Sequence, residues 1–208
     1  MISAFIGCMD EELITTPISG TGKTCSMVGF AYLDYLENKT VWSNFKTTFS
    51  KENIGMQEMI NKIASETIDY DLILLVTEMK KILNSCGSTL NEILFIENFV
   101  SQMRKVGGDK GSVELLWDDQ RFYSIQKRLR IYTDTILIPY KTHTDNSPCY
   151  NAKCKDDHRI YVYSHKPYLE NPIIIFDALE VGKLYNTYEI SFDKLDIPRK
   201  KKGEIIND

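Results

Sequence analysis

Short apolar runs alternate with stretches of helical spacing along most of the chain. The apolar runs predict strands at residues 2–6, 13–16, 40–45, 71–77, 112–117 and 135–139. Apolar residues three and four positions apart predict helices at 23–37, 54–65, 89–105 and 122–132. The run DLILLVT at 71–77 is apolar at nearly every position, which is typical of a parallel strand covered on both faces. This alternation predicts an α/β fold with a mostly parallel central sheet and helices on both of its faces.

The pattern changes after residue 139. Residues 159–164 and 172–176 predict two more strands without a long helix between them, so antiparallel C-terminal strands are expected. With 208 residues, the chain is long enough for one domain and short for two. We therefore predict one domain over residues 1–192 and a flexible basic tail over 193–208. The run RKKK in this tail either contacts DNA phosphates or is simply solvated.

Composition narrows the class of protein. The chain has 25 Lys and Arg against 29 Asp and Glu, a net charge of -4, which excludes a globally basic nucleic-acid binder but allows a local basic patch. No apolar run is long enough to cross a bilayer, and the N-terminus lacks the basic region of a signal peptide. Five scattered cysteines make a disulfide framework unexpected. These features predict a cytoplasmic protein without a membrane span.

The segment Gly20-Thr21-Gly22-Lys23-Thr24 lies between a predicted strand and a predicted helix. Its glycines let backbone N–H groups converge on an anion, and the start of a helix adds its dipole. A lysine at this place reaches the β- and γ-phosphates, and the threonine hydroxyl ligates Mg²⁺. The full pattern G-x-x-x-x-G-K-[ST] would have a glycine where this chain has Pro17. We predict that this segment, together with Cys25, binds ATP and Mg²⁺; the alternative is a glycine-rich turn that only begins a helix.

A second candidate site follows the apolar strand at 71–77. P-loop ATPases place acidic residues at the end of a buried neighbouring strand, where one holds Mg²⁺ and the next polarises water. Here Thr77 stands in the first of these places and Glu78 in the second. Glu78 is predicted as the catalytic base, or else as a surface residue that caps the next helix. The hydroxyl of Thr77 supplies no charge, so weakened Mg²⁺ binding is expected.

Cysteine and histidine cluster near the C-terminal strands. His143, Cys149, Cys154 and His158 form the pattern H-x5-C-x4-C-x3-H. Two cysteines and two histidines satisfy the tetrahedral coordination of Zn²⁺. Segment 143–158 is therefore either a hairpin clipped by a structural zinc ion or an unliganded polar hairpin.

Six segments, in order, cover about residues 1–190 and carry a family resemblance. They are GTGKT at 20–24, VWSNF at 41–45, LLVTE at 74–78, FVSQMRKVGGD at 99–109, DDQRFYSIQKRLRIYTD at 118–134 and KLYNTYE at 183–189. Together they resemble the Zot-like and archaeal-virus packaging-type P-loop ATPases of the FtsK–HerA superfamily. The chain departs from that family at Pro17, at Thr77 and in the insertion CMDEELITTPIS between Gly7 and Gly20.

The resemblance implies a RecA-like ATPase that moves or packages double-stranded DNA into a viral capsid. It implies catalytic roles for Glu78, for Gln120 as a sensor of the γ-phosphate, and for Arg128 or Arg130 as an arginine finger reaching a neighbouring subunit. The implied partners are double-stranded DNA, other copies of the chain in a ring, and a capsid or portal-like protein. The implied location is the host-cell cytoplasm or the virion.

Three other functions stay open at this point. One is a Zot-type ATPase of virion assembly or extrusion. Another is a degenerate nucleotide-binding interaction protein without hydrolysis, for which Pro17 and Thr77 are arguments. A small-molecule kinase is a weaker enzyme alternative.

Overall fold

The computed structural model describes residues 1–8, 20–65, 68–82, 94, 98–100, 103, 111–125, 127–149, 151, 154–165 and 170–186. Its strands are β1 (Ile2–Cys8), β2 (Thr40–Ser43), β3 (Glu52–Asn53), β4 (Leu72–Val76), β5 (Val113–Arg121), β6 (Thr135–His143), β7 (His158–Ser164) and β8 (Ile174–Asp177). Its helices are α1 (Lys23–Leu36), α2 (Met56–Ser65), α3 (Met79–Ile82), α4 (Lys127–Tyr132) and α5 (Ala178–Gly182). A 3₁₀ turn, Phe122–Ser124, joins β5 to the segment before α4.

One sheet of eight strands contains all of these strands, in the order β3-β2-β4-β5-β1-β6-β7-β8. The pairs from β3 to β6 are parallel. β7 is antiparallel to β6, and β8 is antiparallel to β7. The predicted fold class, a mostly parallel α/β sheet with antiparallel C-terminal strands, is confirmed. The carboxyl ends of β1, β4 and β5 lie side by side at one edge of the sheet, which is where ligands bind in such sheets.

The core lies on both faces of the sheet because neighbouring strand residues point to opposite faces. On one face, α2 packs through Met56, Met59 and Ile63. On the other face, α1 packs through buried residues that include Met27, Val28 and Ala31. All five residues of β4 are buried, as its continuous apolar run predicted. The side chains of Leu75 and Leu116 pack on the face of the sheet that α1 covers. Thr77 and Asp118, two positions after them, therefore lie on this face as well.

Several boundaries differ from the prediction. β5 continues through the polar residues after Trp117 because its backbone stays paired with β1 as far as Arg121. The helix predicted at 122–132 is a 3₁₀ turn followed by α4, since Ile125 between them has an extended backbone. β6 runs on to His143, paired with β7 throughout. The short elements β3 and α5 were not predicted.

Other predicted segments lie partly or wholly outside the described residues. Of the helix predicted at 89–105, residues 94, 98–100 and 103 are described, and all of them are helical. The strand predicted at 13–16, Pro17, and the tail at 193–208 are not among the described residues. Where the structure is described, no helix has the length and apolarity needed to cross a membrane.

Candidate functional site

The predicted phosphate loop leads directly into α1. Gly20 and Gly22 adopt φ angles of 82° and 88°, which lie in the left-handed region that favours glycine. Gly22 is also closely covered, since a Cβ at this position would lie 2.8 Å from Cδ1 of Ile160 on β7. Both the backbone conformation and the available space therefore require glycine here.

The first turn of α1 presents backbone N–H groups at this loop. Gly22 is the N-cap, and no side chain of the described residues caps the helix; its first turn also holds no acidic residue. The N–H groups of the first turn have no carbonyl partner inside the helix. The N–H groups at the start of α1, the helix dipole and the lack of an acidic residue in this turn together suit an anion.

Asp118 is the centre of the site. It lies in β5, is 2% exposed, and faces α1. One oxygen, Oδ2, accepts a short hydrogen bond from the hydroxyl of Thr24. The other, Oδ1, accepts from the Thr77 hydroxyl at 2.9 Å and from the Glu78 amide at 2.8 Å. The carboxylate thus joins the end of β4 to the first turn of α1.

Strand register explains this arrangement. Val76, the last residue of β4, is paired with Trp117 of β5, so Thr77 comes to lie opposite Asp118. On the other side of β5, Asp118 is paired with Phe5 of β1, the strand that precedes the phosphate loop in the chain. A carboxyl group of the neighbouring strand therefore lies directly beside the Thr77 hydroxyl. The weakened Mg²⁺ binding expected from Thr77 stays a prediction.

The sequence pattern did not identify Asp118 because this residue follows the run predicted as a strand. The signal that could have found it is the pair Asp118-Asp119 directly after the apolar residues LLW. Two carboxylates at the end of a buried strand, at the edge that also carries the phosphate loop, are unusual unless a cation is bound there.

Burial controls the charges in this site. Burial raises the pKa of Asp118 above its usual value, although Thr24, the Glu78 amide, Lys23 and Thr77 all act in the opposite direction. Burial also lowers the pKa of Lys23, against the attraction of Asp118 and Asp119. The site therefore places a lysine and buried carboxylates close together in a poorly solvated setting, where a bound polyphosphate and cation would add the missing opposite charges.

Asn44 braces the edge on which Glu78 lies. This side chain is 2% exposed, and its amide bonds both sides of the Thr77 backbone: Oδ1 accepts from the Thr77 amide at 2.9 Å, and Nδ2 donates to the Thr77 carbonyl at 3.3 Å. Glu78 follows with a φ of 56°, an uncommon conformation for a residue other than glycine. Asn44 thus holds the turn in which the predicted catalytic base sits.

The other predicted site residues have different surroundings. Thr21 is buried, with its hydroxyl lacking a hydrogen-bond partner among the described residues. Cys25 is buried, and burial raises the pKa of its thiol to about 12, so this thiol stays protonated. Its sulfur lies 4.0 Å from the carbonyl of Ala178, so the part of Cys25 that suits a phosphate is its backbone N–H.

The predicted sensor and finger residues lie at the same end of β5 and beyond it. Gln120 is exposed and follows Asp118 by two residues, on the same side of the strand. Arg130 is occupied within its own chain: its Nε donates to the Ile125 carbonyl at 3.1 Å, and its guanidinium lies 5.1 Å from the ring centre of Tyr123. Arg128 is exposed on α4.

The predicted zinc ligands lie elsewhere, in the β6–β7 hairpin. The structure brings His143, Cys149, Cys154 and His158 together at the tip of this hairpin.

Comparison with solved structures finds several similar chains, among them the following two. The N-terminal domain of zonular occludens toxin from Neisseria meningitidis is 16% identical, with 88% of this chain and 97% of that chain covered and a TM-score of 0.49. The genome packaging NTPase B204 from Sulfolobus turreted icosahedral virus 2, in complex with ATP-gammaS, is 11% identical, with 83% and 98% covered and a TM-score of 0.42. No family model matches the sequence, and a search of curated proteins finds no match.

Proposed function

We propose that this chain binds Mg²⁺–ATP at the start of α1 and hydrolyses it. The single observation that carries the proposal is the position of Asp118, whose buried carboxylate accepts from the Thr24 hydroxyl and from the Glu78 amide. A carboxylate bonded to the phosphate-loop threonine is the arrangement by which P-loop enzymes hold the metal of their nucleotide. The left-handed conformations of Gly20 and Gly22 support the same function, and so does the lack of an acidic residue in the first turn of α1.

The donor set suits Mg²⁺, which prefers oxygen ligands and few protein groups. Thr24 and Asp118 would hold the ion, which would neutralise charge on the phosphate oxygens. Lys23 would bind the β- and γ-phosphates with its ammonium group. Since burial lowers the pKa of Lys23, the negative charges of bound phosphate would favour its protonated form.

Glu78 is proposed as the base that accepts a proton from the attacking water. It lies at the sheet edge beside Asp118, its side chain is partly exposed, and its backbone is fixed by the bond to Asp118. Gln120 would contact the attacking water or the γ-phosphate from the end of β5. Arg128, which is exposed on α4, would reach the nucleotide of an adjacent subunit and stabilise the charge of the transition state.

The task that hydrolysis serves is proposed to be translocation of double-stranded DNA, for packaging into a viral capsid, by a ring of identical subunits. This part rests on the order of the six sequence segments and not on the site geometry. A motor of this kind needs contacts to backbone phosphates and no specificity for bases.

The test is ATP hydrolysis by the full chain with Mg²⁺, measured with and without double-stranded DNA. We expect DNA to stimulate turnover, Lys23→Ala to lose nucleotide binding, and Glu78→Gln to bind ATP but lose turnover by about 100-fold or more. Lys46→Ala and Glu58→Gln, which change exposed residues, are the matched controls. Bound nucleotide without any wild-type turnover would contradict hydrolysis and favour a nucleotide-binding interaction protein. ATP turnover that does not respond to DNA would contradict the proposed DNA translocation but not the proposed ATP hydrolysis.

A further inference from the structure

The tip of the β6–β7 hairpin gathers four potential metal ligands. His143 and His158 form the end pair of the β6–β7 ladder, and their ring centres lie 4.7 Å apart. Cys149 and Cys154 come from the connection between the two strands. One ligand atom from each of the four residues lies within 4.8 Å of the others. Tetrahedral zinc at its usual bond lengths separates its ligand atoms by roughly 3.3–3.8 Å, so closure needs an inward movement of only about 1 Å.

A tight turn brings Cys149 back onto the histidines. Asp145 accepts bonds from the amide and hydroxyl of Ser147, at 2.8 and 2.6 Å. The His143 amide donates to the Ser147 carbonyl at 2.8 Å, and the Cys149 amide donates to the Lys141 carbonyl at 2.9 Å. The chain therefore doubles back along β6, and Cys149 becomes buried at 3% exposure. The local fold of this turn places the thiol in the cluster.

A buried ring nitrogen in this cluster is unsatisfied. Nε2 of His158 is inaccessible and has no hydrogen-bond partner among the residues that the structure describes. A buried polar nitrogen without a partner is costly, and native proteins nearly always satisfy such groups. A metal ion between the four side chains would satisfy this one, because neutral imidazole is a good zinc ligand.

The carboxylate of Asp156 lies next to two of the four ligands. Its Oδ2 is 3.7 Å from Nδ1 of His143 and accepts from the thiol of Cys154 at 3.2 Å. In many zinc sites a carboxylate beside a ligating histidine bonds the second nitrogen of its ring. Here a small movement of Asp156 toward His143 would make that bond, and the thiol proton would be lost when Cys154 binds the metal.

We propose that His143, Cys149, Cys154 and His158 bind one structural Zn²⁺ ion. Two thiolates and two imidazoles fill a tetrahedral shell, so the site is closed and has no position for a substrate. The ion would fix the start of β7. Ile160, two residues further along the same face of β7, packs against Gly22 of the phosphate loop. The zinc site would therefore support the wall that covers this loop.

The test measures metal binding by the full-length chain, purified reduced and without chelator. We expect about one zinc ion per chain, and Co²⁺ added to the metal-free chain should give the strong visible bands and thiolate charge-transfer absorption of tetrahedral cobalt. Cys149→Ser, Cys154→Ser, His143→Gln and His158→Gln should each lower affinity for Co²⁺ by about 100-fold or more. His165→Gln changes a described residue outside the cluster and should leave affinity unchanged.

The wild-type cobalt spectrum decides the proposal even where a ligand variant does not fold. A weak octahedral spectrum without thiolate absorption would overturn it, and so would full zinc content in the folded ligand variants. Neither readout involves nucleotide, so failure of the zinc proposal and failure of the ATPase proposal are distinguishable.

Discussion

The carboxylate of Asp118, near the end of β5, accepts a hydrogen bond from the hydroxyl of Thr24 in the first turn of α1. These residues are far apart in the chain and meet because β5 lies beside β1, the strand that precedes the phosphate loop in the sequence. β4 lies on the other side of β5, and Thr77, which follows its last residue, donates to the same carboxylate. The carboxyl group of this site is thus on β5, whereas the motif at 74–78 would have it at the end of β4.

Asp118 should make stability depend on pH in the absence of Mg²⁺. Burial raises the pKa of this carboxyl, so the folded chain holds its proton to higher pH than the unfolded chain does. Between the two pKa values the folded state binds more protons, and the free energy of unfolding therefore falls as pH rises. We therefore expect the wild-type Tm in EDTA to fall relative to that of Asp118→Asn as pH rises from about 4.

Differential scanning fluorimetry over a pH series, with EDTA and then with Mg²⁺, measures this effect. Asn53→Ala, which changes an exposed uncharged residue of β3, is the control for a substitution that removes no ionisable group. Equal slopes in the wild type and in Asp118→Asn would mean that this carboxyl does not titrate differently on folding.

Gly22→Ala should destabilise the chain for two separable reasons. A non-glycine residue at positive φ costs roughly 1 kcal/mol, and the new Cβ would lie 2.8 Å from Ile160. We expect a total loss of about 2 kcal/mol, which corresponds to roughly 4–8 °C in Tm for a chain of this size. In an Ile160→Ala background the steric part should disappear and about half of the loss should remain.

Gly182 provides the control for this change. A Cβ at Gly182, in α5, would meet nothing within 4 Å, so Gly182→Ala should be neutral or slightly stabilising in the same thermal assay. An equal loss at both glycines would contradict the local explanation for Gly22.

Asn44→Ala should loosen the edge that carries Glu78. The substitution removes both bonds to the Thr77 backbone and leaves a buried amide and carbonyl unsatisfied. We expect a loss of about 2–3 kcal/mol in the free energy of unfolding by urea, together with reduced ATP turnover. Asn53→Ala, at an exposed position of β3, should change neither quantity. Normal turnover in a folded Asn44→Ala chain would show that this brace does not position Glu78.

Substitutions of Arg128 and Arg130 should have different effects on ATP turnover and on stability. Arg130 stacks on Tyr123 and bonds the Ile125 carbonyl, so Arg130→Ala should lower Tm and affect turnover through folding. Arg128 is exposed, and Arg128→Ala should lower turnover by roughly 1000-fold at temperatures where the variant is still folded, because a finger acts only in the transition state.

Mixing experiments separate the two arginines. If Arg128 acts across a subunit interface, chains carrying Arg128→Ala should regain activity when mixed with chains carrying Lys23→Ala, since each supplies what the other lacks. No recovery, or a larger turnover loss in Arg130→Ala at unchanged Tm, would contradict this assignment.

The sequence predicts the strands and helices that carry a regular apolar pattern, and β4 is the clearest case. It does not predict where a strand ends once it becomes polar, because pairing with β1 and not hydrophobicity keeps Asp118 in β5. It places Glu78 at a strand end from the apolar run alone. The sequence also contains four potential zinc ligands between His143 and His158. It does not predict that Cys149 lies near His158, because this depends on the turn at Asp145.

The central measurement is the Mg²⁺ dependence of ATP-gammaS binding, made by titration calorimetry on the wild type, Asp118→Asn and Glu58→Gln. We expect Mg²⁺ to tighten binding to the wild type and to Glu58→Gln, which changes an exposed residue of α2. In Asp118→Asn we expect about tenfold or more of this gain to be lost while metal-free binding remains. An Asp118→Asn chain that keeps the full gain from Mg²⁺ would contradict the claim that β5 supplies the metal-binding carboxylate.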